Sequence, residues 1–128
     1  IFNEKHIKFI SEFKEIQVNI DRTQMVRIIT NLIKNAIQAS ESIEEPLIQV
    51  MIKRRNNNVF IEIKDNGIGI PKSIRNKIFE PNFTTKSSGM GLGLGMVKNI
   101  VNSYEGEITF KSKISLGTSF LISFPISK

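Results

Sequence analysis

Apolar residues recur along this chain at several spacings, and each spacing predicts its own element. Residues 7 to 10 and 14 to 20, the latter reading KEIQVNI, alternate apolar with polar positions or are β-branched, so both predict short strands. Asp21 stands where a helix N-cap belongs, and Gln24 follows three residues on, the spacing of a capping box. From Met25 the pattern changes: Ile28, Ile29, Leu32, Ile33, Ala36 and Ile37 recur every three or four residues and predict an amphipathic helix of several turns, ending before Pro46. LIQVMIKRR (47–55) and VFIEIKD (59–65) are strand-like again and are joined by three asparagines, a residue that tolerates left-handed turns. They predict a hairpin.

Pro71 suits the first residue of a short helix reaching about Phe79, whereas EPNFTTKSSG (80–89) has turn and hydroxyl residues without periodicity and predicts a loop. A third helix is expected to open within GMGLGLGM (89–96) and to carry Met96, Val97, Ile100, Val101 and Tyr104 on one face. GEITFKS and GTSFLISFP close the chain as two strands with a turn near 115–117. Helices and strands mix without strict β-α-β alternation. The expected fold class is therefore α/β, a two-layer sandwich with one mixed, mainly antiparallel sheet and about three helices on one face.

Composition narrows the function more by exclusion than by choice. With 128 residues, 40% of them hydrophobic, the chain can bury one continuous core, and a single domain over 1–128 is expected. No apolar run is long enough to span a bilayer and no signal-peptide zones precede the first strand, so a soluble domain without membrane contact is expected. The first residue is Ile1 rather than methionine, which predicts a piece of a longer protein. The absence of cysteine excludes disulfides and thiolate metal sites, and the one histidine, His6, cannot build a histidine metal site. A net charge of +6 suits an anionic ligand, an acidic protein partner or nucleic acid, and by itself chooses none of them. The one dense basic cluster, Lys53 to Arg55, lies beside a predicted turn and has no interleaved aromatics, so it reads as a solvated hairpin end and no nucleic-acid partner is expected.

Three short segments carry chemistry. In NLIKNA, Asn31 and Asn35 are four apart on the long helix, hence on one face, and each amide oxygen is a hard neutral ligand of the kind magnesium accepts; an isolated helical asparagine is otherwise ordinary surface. In DNGIGI, Asp65 ends a strand and can accept a hydrogen bond from an exocyclic amine, while Gly67 and Gly69 let a flat ring approach the backbone; the bland alternative is a plain turn. Glycine near a helix costs about 1 kcal/mol relative to alanine, so the alternating glycines 89 to 95 make sense where the backbone itself must contact something. They fit neither a P-loop nor a Rossmann fingerprint. What remains is a glycine loop opening a helix, whose free N–H groups and dipole favour a polyphosphate.

Taken in order, NLIKNAIQA, DNGIGI, IFEPNFTTK, GMGLGLGMV and GTSF resemble the catalytic, ATP-binding domain of sensor histidine kinases of two-component systems, which has the Bergerat fold. The resemblance spans about residues 20–124. It implies that Asn35 holds the magnesium bridging the ATP phosphates, with Asn31 supporting the metal or a phosphate. It implies that Asp65 binds the adenine amine with Gly67 and Gly69 beside the ring, that Ile70, Ile78 and Phe79 line the adenine pocket, and that Thr118 lies at its floor. Glu80 to Ser88 would be the lid over the nucleotide, including Thr85 and Lys86 of the FTTK pattern, and Gly89, Gly91, Leu92 and Gly93 would give N–H groups to the phosphates.

Two departures from the family pattern bear on mechanism. Related ATPases carry a glutamate general base where this chain has Asn31, so hydrolysis should be slow, as suits an enzyme whose nucleophile is an imidazole. Many members also carry a phosphate-contacting lysine where this chain has Gln38, which leaves Lys86 and Lys34 as candidates for that charge. His6 lacks the helical setting of the family's phosphoacceptor, so it is expected to be structural or exposed. The acceptor is expected on upstream dimerisation helices, making this fragment a monomer and the full protein a homodimer, with an aspartate of a response regulator receiving the group next. The implied location is cytoplasmic, in a full-length protein free or anchored in the inner membrane. Two other readings share the fold: a serine-directed kinase of the anti-sigma-factor type, and a non-catalytic nucleotide-sensing module.

Overall fold

The computed structural model describes residues 7–11, 20–81, 83 and 93–126. The first alternating run forms β1, Ile7–Ser11, and the helical spacing after Asp21 forms α1, Arg22–Ala39. The hairpin consists of β2, Ile48–Arg55, and β3, Asn58–Asp65, with Asn56 in the left-handed region at φ 58°. Helix α2, Leu94–Ser103, follows the glycines, and β4, Glu107–Lys113, and β5, Gly117–Pro125, complete the elements. The strand expected over 14–20 lies outside the described residues apart from Ile20, and so does His6.

The five strands form one sheet in the order β1-β2-β3-β5-β4. β1 runs parallel to β2, which requires a crossover, and α1 lies within that connection; the other neighbours are antiparallel. Alternate residues of the central strands fall on one buried face: Val50 pairs with Ile63, Ile63 with Phe120, Ile61 with Ile122 and Val59 with Phe124. Ile28, Leu32 and Ala36 of α1 and Val97, Ile100 and Val101 of α2 close this core. The result is the expected two-layer sandwich with a mixed, mainly antiparallel sheet.

Three local expectations are corrected. The capping box does not form: the Asp21 side chain makes no cap bond, and its N–H donates instead to the Tyr104 hydroxyl at 3.4 Å. Gln24 Oε1, which would have accepted that N–H, is buried without a partner among the described residues. Pro71 is extended at ψ 142° and precedes a single 3-10 turn, Lys72–Ile74, rather than a helix to Phe79. The bonds through this stretch close over three residues, as from Ile74 N to Pro71 O and from Lys77 N to Ile74 O. Two α-helices are thus described where about three were expected. On α2, Leu94, Val97 and Val101 define the buried stripe, which turns Met96 outward to 42% exposure.

Candidate functional site

At the end of β3, where α1 finishes and β5 begins, the layers part around a cavity of about 240 Å³. Its wall is made by Asn35, Gln38 and Ala39 of α1, Asp65, the Ile68–Pro71 loop with Ile74, and Thr118 and Phe120 of β5. Period-two geometry explains the last pair: Thr118 and Phe120 are two apart on one strand and face the same layer. The helical face supplies the others, since Asn35, Gln38 and Ala39 lie within one turn. Most of this wall is apolar, with the carboxylate at its depth.

Asp65 is 6% exposed. Its Oδ1 accepts hydrogen bonds from Gly67 N at 2.8 Å and Thr118 N at 3.3 Å, and neither donor occupies Oδ2. Burial pushes this carboxyl above its ordinary 3.8, and the two backbone bonds offset that only in part. The folded state therefore holds more protons than the unfolded chain from pH 3.8 up to the raised value, so the contribution of Asp65 to stability falls as pH rises through that window. If Asp65 accepts a ligand's amine, as the family resemblance implies, recognition runs the other way, because an amine donor is best met by the charged acceptor. ADP affinity is expected to weaken on acidification before ordinary carboxylates titrate; calorimetric titrations from neutral pH downward check this, and Asp65→Asn should flatten the profile.

Packing and backbone conformation account for the glycines of the loop after Asp65. Ile68 N donates to Ala39 O at 3.0 Å, which draws the loop onto the end of α1. A Cβ on Gly67 would run into that same carbonyl oxygen, and Gly67 is not part of the cavity wall. Gly69, which is part of it, adopts φ +82°, open to glycine at little cost. Asn66 fastens the turn from outside, accepting from Leu47 N at 2.9 Å and donating to Glu45 O at 3.0 Å. Gly67→Ala is expected to cost about 1–3 kcal/mol of stability through overpacking, read as a lowered denaturant midpoint.

The two asparagines form one unit. Asn35 Nδ2 donates to Asn31 Oδ1 at 3.3 Å; Asn35 lines the cavity, and Asn31 lies beyond it. A Cβ on Gly93 would meet the Asn31 amide nitrogen, so the third glycine of the stretch rests on this pair. Gly93 is left-handed at φ 57° and opens α2.

Of the other residues expected at the site, Ile70 and Thr118 line the cavity, whereas Ile78 is fully buried in the core outside the wall. Phe79 also stands outside it, edge-on to Phe110 at 5.9 Å with Lys98 Nζ 5.0 Å from its ring centre. Lys34 is exposed and not on the wall. Thr85, Lys86, Gly89, Gly91 and Leu92 lie outside the described residues, as does the lid segment apart from Glu80, Pro81 and Phe83.

Several cavity residues were not expected. Ala39 and Phe120 were open to detection, one as the residue a turn beyond Asn35 and the other as the same-face neighbour of Thr118. Gln38 stood out only as a departure from the family pattern. Ile68, Pro71 and Ile74 gave no local signal, because only the fold of the loop brings them to the cavity.

The chain belongs to the family described as histidine kinase-, DNA gyrase B-, and HSP90-like ATPase, whose model matches residues 20–128. Among curated relatives, sporulation kinase A of Bacillus subtilis (strain 168) is 38% identical over 114 residues, covering 89% of this chain and 18% of that protein. Signal transduction histidine-protein kinase AtoS of Escherichia coli (strain K12) is 36% identical over 126 residues, covering 97% and 21%. The chain thus spans about a fifth of the length of these relatives. Among solved structures, the nucleotide-free catalytic domain of histidine kinase ThkA superposes with a TM-score of 0.81 at 30% identity, over 93% of this chain and 77% of that one. ThkA in complex with response regulator protein TrrA gives 0.76 at 26% identity, over 94% and 34%. The fold is that of histidine kinase catalytic domains. Among the described residues no helix is long and apolar enough to cross a membrane.

Proposed function

We propose that residues 1–128 form the catalytic ATP-binding domain of a longer sensor kinase, which binds Mg-ATP and passes the γ-phosphoryl group to a histidine on dimerisation helices elsewhere in the protein. One observation carries this reading: one cavity is lined both by the buried Asp65 carboxylate and by Asn35, whose partner Asn31 lies against Gly93 of the glycine stretch. One end of the site suits an amine-bearing ring and the other a phosphate chain. In this reading Asp65 Oδ2 accepts the exocyclic amine of adenine, Gly69, Ile70 and Phe120 flank the ring, and Thr118 meets its edge.

The asparagine end fits a magnesium–phosphate pair. Asn35 would ligate through its carbonyl oxygen, a neutral donor, since an amide nitrogen is no magnesium ligand. Magnesium, when bound, neutralises the charge of the β- and γ-phosphates during transfer. The chain's own part is positioning: the asparagines fix the phosphate chain at one end and Asp65 fixes the base at the other, which aims the γ-phosphorus at an incoming imidazole nitrogen. A bond from that nitrogen to phosphorus forms as the bond to the ADP oxygen breaks. Gly89, Gly91, Leu92, Thr85 and Lys86 would complete the phosphate cradle, with Lys86 preferred over the exposed Lys34 as its charge.

Sensor-kinase relatives and the ThkA–TrrA complex support a histidine acceptor and a response regulator as the next partner; a homodimeric full-length protein and a cytoplasmic position for this domain belong to the same proposal. The test is transfer of the terminal phosphate of labelled ATP to the protein's dimerisation helices supplied in trans with magnesium. Acid-labile, base-stable label on the helices is the expected result. Acid-stable label would instead point to the serine-directed reading, and ADP binding without any transfer to a sensing module.

A further inference from the structure

The cavity floor is held by a residue that does not line it. Ser112 sits on β4 directly opposite Thr118 of β5, and their hydroxyl oxygens are 2.8 Å apart. Ser112 Oγ also accepts the N–H of Ile70 at 2.7 Å, so one side chain joins the floor to the loop wall. Arg75 braces the same junction, donating through Nε to Ile70 O at 3.0 Å and through Nη2 to Ser112 O at 2.9 Å.

A serine hydroxyl has one proton and two lone pairs. With one lone pair committed to Ile70, the proton has two destinations: Thr118 Oγ1 at 2.8 Å or Gly117 O at 3.3 Å. Ser112 can donate to Thr118, or donate to Gly117 O while its second lone pair accepts from Thr118; in both arrangements the pair pins Thr118 Oγ1 in place. Thr118 Oγ1 keeps hydrogen-bonding capacity for the cavity in both arrangements, at a place that Ser112 fixes. The floor presents the Thr118 hydroxyl, held in place, beside the acceptor of Asp65. An adenine edge sets an amine donor against that carboxylate, while a 6-oxo purine sets a carbonyl oxygen against it.

Resting on the nucleotide-binding reading above, we infer that Ser112, hydrogen-bonded to both Thr118 and Ile70, is the positioning residue that makes this cavity select 6-amino over 6-oxo purine nucleotides. It acts through Thr118 and the Ile70 wall, and touches no ligand atom itself.

The test is calorimetric titration of the chain with ADP and with IDP, neither of which can donate a γ-phosphoryl group, alongside magnesium pyrophosphate as a base-free probe. For Ser112→Ala the expected result is about tenfold weaker ADP binding, a much smaller loss for IDP and none for pyrophosphate. Ser112→Thr keeps the hydroxyl on a strand position that favours threonine, and is expected to restore the parent's preference for ADP. Equal losses for ADP and IDP in Ser112→Ala would reduce the residue to a purely structural one and overturn the inference, as would a Ser112→Thr protein that melts like the parent yet has lost the preference. If the parent discriminates and the variants discriminate equally well, the inference falls alone. A parent that binds neither nucleotide overturns the nucleotide reading along with it.

Discussion

Asp65→Asn is expected to weaken ADP binding by about 100-fold while leaving the fold in place, because a hydrogen bond to a charged group is worth about 1.5–3 kcal/mol and the amide adds a mismatch of its own. The substitution is close to isosteric. Asn Oδ1 can go on accepting from Gly67 N and Thr118 N, which now lie at 2.8 and 3.3 Å, so the loop and the start of β5 should stay where they are. The second oxygen becomes an NH2 facing the ligand's amine, and donor meets donor. Removing a charge whose burial raises its proton affinity should also make the folded state slightly more stable near neutral pH. Weaker binding together with an unchanged or raised melting temperature is the signature of a recognition residue. Weaker binding with a lowered melting temperature would make Asp65 a structural anchor for the turn instead.

How legible this was in advance depends on the range of the interaction. The hairpin, α1 and the β4–β5 pair were readable because period and turn chemistry are local: Asn56 takes the left-handed turn, and Ser115 and Gly117 at φ 66° and 125° turn the last two strands. The capping box failed because its competitor, Tyr104, lies 83 positions away. The helix from Pro71 failed for a similar reason, since Arg75 is committed to Ser112 on β4, 37 positions on. At the site, Asp65, Gly69, Ile70, Asn35 and Thr118 were expected and meet at one cavity, because ordered motifs identify them. Ser112 was missed for the opposite reason. One serine in a strand gives no pattern, and its position opposite Thr118 exists only once β4 and β5 are paired in register.

The same division of the site into a base end and a phosphate end predicts that Asn35→Ala separates metal dependence from nucleotide binding. Asn35 is 7% exposed and linked to Asn31, which in turn adjoins Gly93, so its carboxamide belongs to the end away from Asp65. Without magnesium, ADP should bind the variant within a few-fold of the parent, since Asp65, Ile70 and Thr118 are untouched. With magnesium the parent should tighten and the variant should not. Phosphoryl transfer to the dimerisation helices should fall by about 100-fold or more, the scale on which removal of a single charge-stabilising contact acts in a transition state. Asn35→Asp controls for the lost volume: a carboxylate restores a magnesium ligand while repelling bare phosphates, so metal-free ADP should bind worse than in the parent and magnesium should rescue it steeply. If Asn35→Ala lowered metal-free and metal-bound affinities equally, Asn35 would belong to the wall of the base pocket, and the metal would have to be held by other groups.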